Sequence, residues 1–362
     1  MKIGIVLYPY GEKKPSGLAR TIFEWTKVLL EADAENKYLI FFKGKPEKLP
    51  EFGVNNWQPV FLSERRFWMN GLKNAPQANV YIFQTPVLPL KFTPKNSVII
   101  AQDFPYLHLM ARSPKRYFLN RIIKFYHAWS LKRAARIIAV SEYTKRELMK
   151  FFHVPEEKIA VVPMGYKKVC KVRETQVRLP EKFFLFVGVV KERKNVLRIF
   201  EAFSEFKKLH SQSGYKLAIG GKSEGTYFEK VKSFSEEKGI ASDIVWLGFL
   251  NDGELSYVYR RARTLLFPSI VESFGFPVLE AMSCGLPVIT SDFGGPSEIG
   301  SGNSALLVDP YNANSISKVM EKIAFDDNLR EKLIQSGRKR AEEFSWDKAA
   351  DGLLKVINSL KK

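Results

Sequence analysis

The feature that most constrains this chain is the stretch Val271 to Asp292, VESFGFPVLEAMSCGLPVITSD. The apolar run TLLFPSI at Thr264 to Ile270 precedes it and has the length of a fully buried strand. A polar turn with Glu272, Ser273 and Gly275 comes next. Pro277 suits the first helical position, where its missing N–H costs nothing, so Val278 to Cys284 reads as a short helix ended by Gly285. Pro287 to Thr290 reopens a strand. Such a unit aims a helix N-terminus beyond the strand end, where unpaired N–H groups and a partial positive charge favour phosphate. Gly275 lets the backbone come close to a ligand. Glu272 lies in the turn and Glu280 along the helix, eight positions apart. Two acceptors so placed suit two sets of hydroxyls on either side of a diphosphate, as in a nucleotide sugar. An ordinary strand–helix unit with one capping and one solvated Glu shows the same spacing, so spacing alone leaves both readings open.

The wider setting, FPSIVESFGFPVLEAMSCGLPVITSD, closely resembles the E-x7-E signature of retaining glycosyltransferases of family 4, which have the two-domain GT-B fold. The resemblance implies that Glu272 contacts hydroxyls of the donor sugar and that Glu280 binds the nucleotide ribose. It also implies that the backbone amides of Phe274, Gly275 and Phe276 lie against the donor's sugar and phosphates.

At 362 residues the chain exceeds the size that one core usually serves, so two domains are expected. No apolar stretch reaches 18 residues, and the opening MKIGIVLYPY is too short for a signal peptide and has no cleavage region. A cytoplasmic location is expected. The two cysteines, Cys170 and Cys284, are far apart and match no zinc or redox spacing, which suits a reducing compartment. The four histidines form no metal-ligand pattern and read as solvated or packed. The net charge of +19 is uneven: residues 1–175 carry 30 Lys and Arg against 14 Asp and Glu, whereas the remainder carries 27 against 24.

Taken in order, MKIGIVLYPY opens an α/β domain, and a basic loop leads into the amphipathic run TIFEWTKVLLEA. SGLARTIFEWTKVLL resembles the family's glycine-bearing loop around Gly17 and Arg20, which faces the donor; a flexible strand-to-helix turn is the alternative. SVIIAQDFPYLHL resembles the segment in which a strand ends in His-Asp. Here Gln102 replaces the His and Asp103 is retained. A glutamine offers an amide donor and acceptor but cannot become an imidazolium.

From Phe104 to Ser141 there is no Asp or Glu. Arg112, Lys115, Arg116, Arg121 and Lys124 lie there, interleaved with aromatic residues at helical spacing. An anionic membrane surface is the expected partner of such a helix. A core helix with solvated cations and an RNA surface are the alternatives. RRFWMNGLKN, with Arg65 and Arg66, repeats the theme as a second contact.

Lys167 to Lys182 loses periodicity and gains charge, which places a linker there. The second domain opens with FFLFVGVVKERKN, whose Gly188, Arg193 and Lys194 form another strand-to-helix mouth. The two cations suit a diphosphate, and in the family the equivalent pair stabilises the departing one. Leu250 and Asn251 fall where family members hold the base. Glu298 reads as structural.

The expected architecture is α/β, of GT-B type, with two Rossmann-like domains whose parallel sheets face a central cleft. The boundaries are 1–175 for the acceptor-binding domain, 176–344 for the nucleotide-sugar-binding domain, and 345–362 for a final helix returning to the first domain. The resemblance implies hexosyl transfer from a nucleotide diphosphate sugar to a glycan or lipid-linked acceptor without a metal. GVVKERKN resembles bacterial mannosyltransferases, favouring GDP-mannose over a UDP-hexose. A nucleotide-sugar epimerase and a non-catalytic membrane- or RNA-binding module are the other classes.

Overall fold

KIGIV, KYLIFFK and SVIIA show little polar alternation, as expected of strands covered on both faces. The computed structural model describes residues 1–10, 17–111, 113–170 and 175–360. In it these runs are strands with continuously buried centres. The chain forms two units: Met1–Tyr106, Met110–Gly165 and Ser345–Lys362 make the first, and Leu107–Leu109 with Tyr166–Phe344 the second.

Unit 1 contains β1 (Lys2–Val6), β2 (Lys37–Lys43), β3 (Trp57–Leu62), β4 (Val80–Phe83), β5 (Ser97–Ala101), β6 (Arg136–Ala139) and β7 (Ile159–Val161). Its helices α1 (Gly17–Ala32), α2 (Pro114–Arg133) and α3 (Glu142–Phe152) connect them. The strands are all parallel in the order β3-β2-β1-β4-β5-β6-β7. Pro59 sits within β3, and an edge strand is where a missing N–H donor is tolerated.

Unit 2 contains β8 (Lys182–Val187), β9 (Tyr215–Gly220), β10 (Ile244–Gly248), β11 (Leu265–Phe267), β12 (Val288–Ser291) and β13 (Leu306–Val308). Around them lie α4 (Val196–Leu209), α5 (Thr226–Glu237), α6 (Asp252–Arg261), α7 (Phe276–Ser283), α8 (Gly295–Ile299), α9 (Ala313–Phe325) and α10 (Asp327–Ala341). This sheet is also parallel, in the order β10-β9-β8-β11-β12-β13. The order reverses between β8 and β11, and in such sheets ligands bind beyond the strand C-termini at that switch point.

The last helix, α11 (Trp346–Asn358), belongs to unit 1. Ser345 caps it by accepting from the Lys348 N–H, and Ala349, Ala350, Leu353 and Ile357 are buried. Trp346 meets Trp25 of α1 edge-on at 5.6 Å. The backbone of Trp346 crosses so close to Gly165 that a Cβ there would collide with it.

Two expectations change at the junction between units. The chain passes from one unit to the other at Gly165–Tyr166, so the start of the stretch expected to be a linker is packed into unit 2, with Tyr166 and Val169 buried. Its charge suggests a tether, but buried Val169 and the bonded Cys170 anchor it; residues 171–174 lie outside the described residues. The cysteines are also not separate thiols. Cys170 and Cys284, 114 positions apart, form a disulfide with Cα atoms 5.3 Å apart. Sequence distance concealed the pair, and the cysteines no longer argue for a reducing compartment. Among the described residues no helix is long and apolar enough to cross a membrane.

The crosslink should be visible in solution: denatured, unreduced protein should show no free thiol in a colorimetric thiol assay. Cys284→Ser should lower stability by about 2–4 kcal/mol in denaturant unfolding. Two free thiols in protein purified under air would refute the pairing.

Candidate active site

The switch point of unit 2 gathers three charged side chains from two distant segments. After β8 the chain runs through Gly188 into a short 3₁₀ turn, Glu192–Lys194. Asn195 then adopts the left-handed conformation, φ 61°, which Asn tolerates better than most residues, and α4 begins. Its buried carboxamide donates to the carbonyls of Pro268, at 3.0 Å, and Pro310, at 2.6 Å. The Ile270 N–H donates to the Arg193 carbonyl at 2.9 Å. The turn is thereby fixed beside the end of β11.

Glu272 closes the group. Its Oε2 accepts from Arg193 Nη1 at 3.0 Å and from Lys194 Nζ. Arg193 Nη1 also reaches the Val271 carbonyl at 3.2 Å. The Lys194 ammonium sits 4.5 Å from the centroid of the Phe267 ring. One carboxylate is shared by two cations in a site where Lys194 and Glu272 are about nine-tenths buried, while Arg193 keeps 28% of its side chain exposed. The group therefore holds one excess positive charge at the mouth of a parallel sheet. An anion arriving there can compete with Glu272 for both cations.

The backbone around this group is unusually bare. The Gly295 N–H donates to the Glu272 carbonyl at 2.9 Å, and a Cβ at Gly295 would collide with the Ser273 carbonyl. At the other side of the mouth, Gly221 has φ 121° and lies against the Gly188 carbonyl, while Gly188 N–H donates to Gly220 O at 2.9 Å. Only glycine fits such contacts between strand ends. The ends of β8 and β9 thus present main chain, not side chains, to a ligand.

The remaining expected donor residues fall as follows. Gly275, φ 115°, caps α7 without a side-chain hydrogen bond. The Phe274 ring is committed to the core, packed edge-on against Phe276 and Phe344. Glu280, one turn into α7, accepts from the hydroxyl of Tyr259 at 3.2 Å. Leu250 leans against Gly220. Asn251 caps α6: its carbonyl oxygen accepts from the Gly253 and Glu254 N–H groups, and its own N–H donates to Glu254. That oxygen serves the helix.

In unit 1, Gln102 and Asp103 follow β5 at the C-terminal edge of its sheet. The Gln102 Nε2 is buried without a hydrogen-bond partner, whereas Asp103 is engaged. Gly17 starts α1 in open space, so no neighbouring atom demands a glycine there.

Arg65 and Arg66 are exposed, the latter over the Phe67 ring. Lys115, Arg116, Arg121 and Lys124 are exposed on α2; Arg112 lies outside the described residues. The first half of α2 is not a core helix. Phe118 is 67% exposed and Phe125 74%, with Tyr117, Leu119 and Ile122 also exposed, while Ser130 and Leu131 are buried. Apolar residues occur on both faces, and only one face is covered.

Asn195, Phe267, Gly295 and Tyr259 are the contributors that sequence reading missed. Asn195 directly follows the two cations, and an Asn before a helical run is a recognisable signal. Tyr259 carries none, lying inside a helix 21 positions before Glu280.

The model of the glycosyl transferases group 1 family matches residues 171–340, and that of glycosyltransferase family 4 matches residues 89–167. Residues 171–340 belong to the glycosyl transferases group 1 family. Both charged segments, at Arg193 and at Glu272, fall inside the first match, and Gln102 and Asp103 inside the second. The O-antigen chain mannosyltransferase B of Escherichia coli is 28% identical over 244 residues, 64% of this chain and 62% of that protein. The serotype-specific mannosyltransferase WbdA of Escherichia coli is 25% identical over 298 residues, 76% of this chain and 36% of that protein. The match thus spans about three-fifths of the first relative's length and about a third of the second's. Among solved structures, sucrose-phosphate synthase from Thermosynechococcus elongatus superposes with a TM-score of 0.79 at 18% identity, covering 99% of each chain. That likeness shows the fold, which is that of the GT-B glycosyltransferases.

Packing in unit 1 makes a pH prediction. His127 of α2 shares a hydrogen bond with the Tyr106 hydroxyl at 2.8 Å, and burial pushes the imidazole down from 6.5 to about 4. The unfolded chain therefore takes up this proton first as pH falls. Stability carried by neutral His127 is complete above about pH 6.5 and declines towards pH 4, by about 3 kcal/mol at most. Urea unfolding at pH 7 and 4.5 should show a larger loss for wild type than for His127→Gln. Equal losses would refute the assignment.

Proposed function

We propose that this chain is a retaining hexosyltransferase that moves a mannosyl group from GDP-mannose, in preference to a UDP-hexose, to a hydroxyl of a glycan or lipid-linked acceptor. The observation that carries the reading is the Glu272 carboxylate shared by Arg193 and Lys194 at the switch point of unit 2. The names of the Escherichia coli relatives support mannose and a role in cell-surface polysaccharide synthesis.

In this reading the donor diphosphate lies at the mouth formed by the ends of β8 and β11, against the bare backbone and the N-terminus of α7. Glu272 exchanges part of its contact with the two cations for hydroxyls of the donor sugar. Glu280 holds the nucleoside ribose. The bond from the anomeric carbon to the diphosphate breaks, and a bond to the acceptor oxygen forms on the same face. The acceptor proton passes to the leaving phosphate. Arg193 and Lys194 stabilise the charge that develops on the diphosphate, and their backbone need not move because the turn is already pinned. The chain's own cations do this work, so the reading assigns no role to a metal.

The cationic aromatic half of α2 is assigned to an anionic membrane surface at the inner leaflet, where a lipid-linked acceptor would be held. Its exposed Phe118, Ile122 and Phe125 lie at helical spacing with Arg121 among them. Such a face combines apolar burial with attraction to anionic headgroups. Nucleic acid has no place in the reading.

Three measurements test it. Saturation-transfer NMR against GDP-mannose, UDP-glucose, UDP-galactose and UDP-N-acetylglucosamine should show one bound nucleotide sugar. Release of an altered sugar nucleotide without an acceptor would instead indicate an epimerase. Lys194→Ala should lower turnover at least tenfold, about 1.4 kcal/mol, and wild-type turnover would refute its role. In liposome flotation the protein should rise with anionic but not neutral vesicles, and Phe118→Ser/Phe125→Ser should remain at the bottom. Equal flotation of wild type with both lipids would count against the membrane assignment.

A further inference from the structure

Glu280 sits over a group that the proposed chemistry does not use. Tyr259 of α6 is fully buried, 0% exposed, and its hydroxyl donates to Glu280 Oε2 at 3.2 Å. Burial first, and the neighbouring carboxylate second, push the phenol well above its ordinary value, so it remains a neutral donor at any working pH. A phenol hydroxyl has a single proton to give, and a carboxylate can accept several hydrogen bonds through its two oxygens. Tyr259 therefore fixes Glu280 from the core side without neutralising it.

The surroundings make this a rigid support. The N-terminus of α6 is held by the Asn251–Glu254 capping box beside Leu250. Two turns later Tyr259 reaches α7 through Glu280. The next residue, Arg260, donates from Nη2 to the Cys170 carbonyl at 2.7 Å, and Cys170 is bonded to Cys284 at the end of α7. Helices α6 and α7 are thus joined through Tyr259–Glu280 and again through Arg260 and the disulfide. A long acidic side chain on an eight-residue helix would otherwise lose several rotors' freedom on binding a ligand. Here part of that ordering exists before the ligand arrives.

We infer that Tyr259 is a positioning residue that orients the Glu280 carboxylate to accept the vicinal hydroxyls of a ribonucleotide, making the site selective for ribose over deoxyribose. The inference rests on the reading of Glu280 as the ribose ligand given above. It assigns a task to a buried side chain that touches no substrate. It also sets the substrate class more narrowly, as a nucleotide that keeps both ribose hydroxyls.

The test is calorimetric titration of the full chain with GDP and UDP and with their 2′,3′-dideoxy counterparts. Wild type should bind one ribonucleotide at least tenfold more tightly than its dideoxy form. Tyr259→Phe should weaken the ribonucleotide by about tenfold, the scale of one hydrogen bond to a charged acceptor, and leave the dideoxy form unchanged. A merely structural role would weaken both alike. Glu280→Ala separates the two claims. If it abolishes the preference and Tyr259→Phe retains it, the positioning role is wrong while the ribose reading stands. If Glu280→Ala retains the preference, or wild type binds neither nucleotide or shows no preference, the ribose reading falls and the inference with it. Should Tyr259→Phe fail to fold, 3-fluorotyrosine at position 259, a stronger donor, should raise the preference, and an unchanged ratio would overturn the proposal.

Discussion

Arg193 and Lys194 meet Glu272 across nearly eighty residues of sequence, and the parallel pairing of β8 with β11 makes this possible. In a parallel sheet every strand delivers its C-terminal end to one edge, so loops remote in the chain become neighbours. The cost of bringing these charges together is desolvation, and each would be expensive to bury alone. Sharing one carboxylate between two cations, with the phenyl face of Phe267 under the ammonium, offsets that cost. The group can stay inside the fold and keep a net positive charge. Asn195, Gly295 and the packed glycine backbone hold it in place, because a small error in the turn would leave a buried charge unpaired.

The same economy governs the second carboxylate. Glu280 lies on a helix tied at one end by a disulfide and along its flank by a buried phenol. The two acidic residues of the motif therefore sit in different environments. One is balanced by cations that a phosphate can attract away, and the other is supported by a neutral donor that a ligand does not displace. That difference suits separate partners, hydroxyls of a transferred sugar for one and of a nucleoside for the other.

Unit 1 is organised on different terms. Its sheet and α11 are packed tightly, with Trp25 against Trp346 and Gly165 under the crossing chain, but the first half of α2 leaves large apolar side chains uncovered. Charge patterning identified this helix as unusual, since Phe104 to Ser141 holds no carboxylate. Periodicity could not say which apolar face would be covered, because both faces carry apolar residues. A core helix and a surface-seeking helix have the same composition until their neighbours are known.

The parallel α/β class and the strand-to-helix mouths were determined by the sequence alone, through local signals: uninterrupted apolar runs, a proline at a helix start and glycines at turns. Glu272, Arg193 and Lys194 became candidates there only through the resemblance of their flanking residues to a known family. The tertiary structure alone decided the rest. It paired Cys170 with Cys284, made Asn251 a helix cap, buried the Phe274 ring, left the Gln102 amide unpartnered and placed Tyr259 beneath Glu280. Each of these depends on which surfaces meet after the sheet has formed, and a hydrogen bond or a disulfide between residues 21 or 114 positions apart leaves no period in the chain.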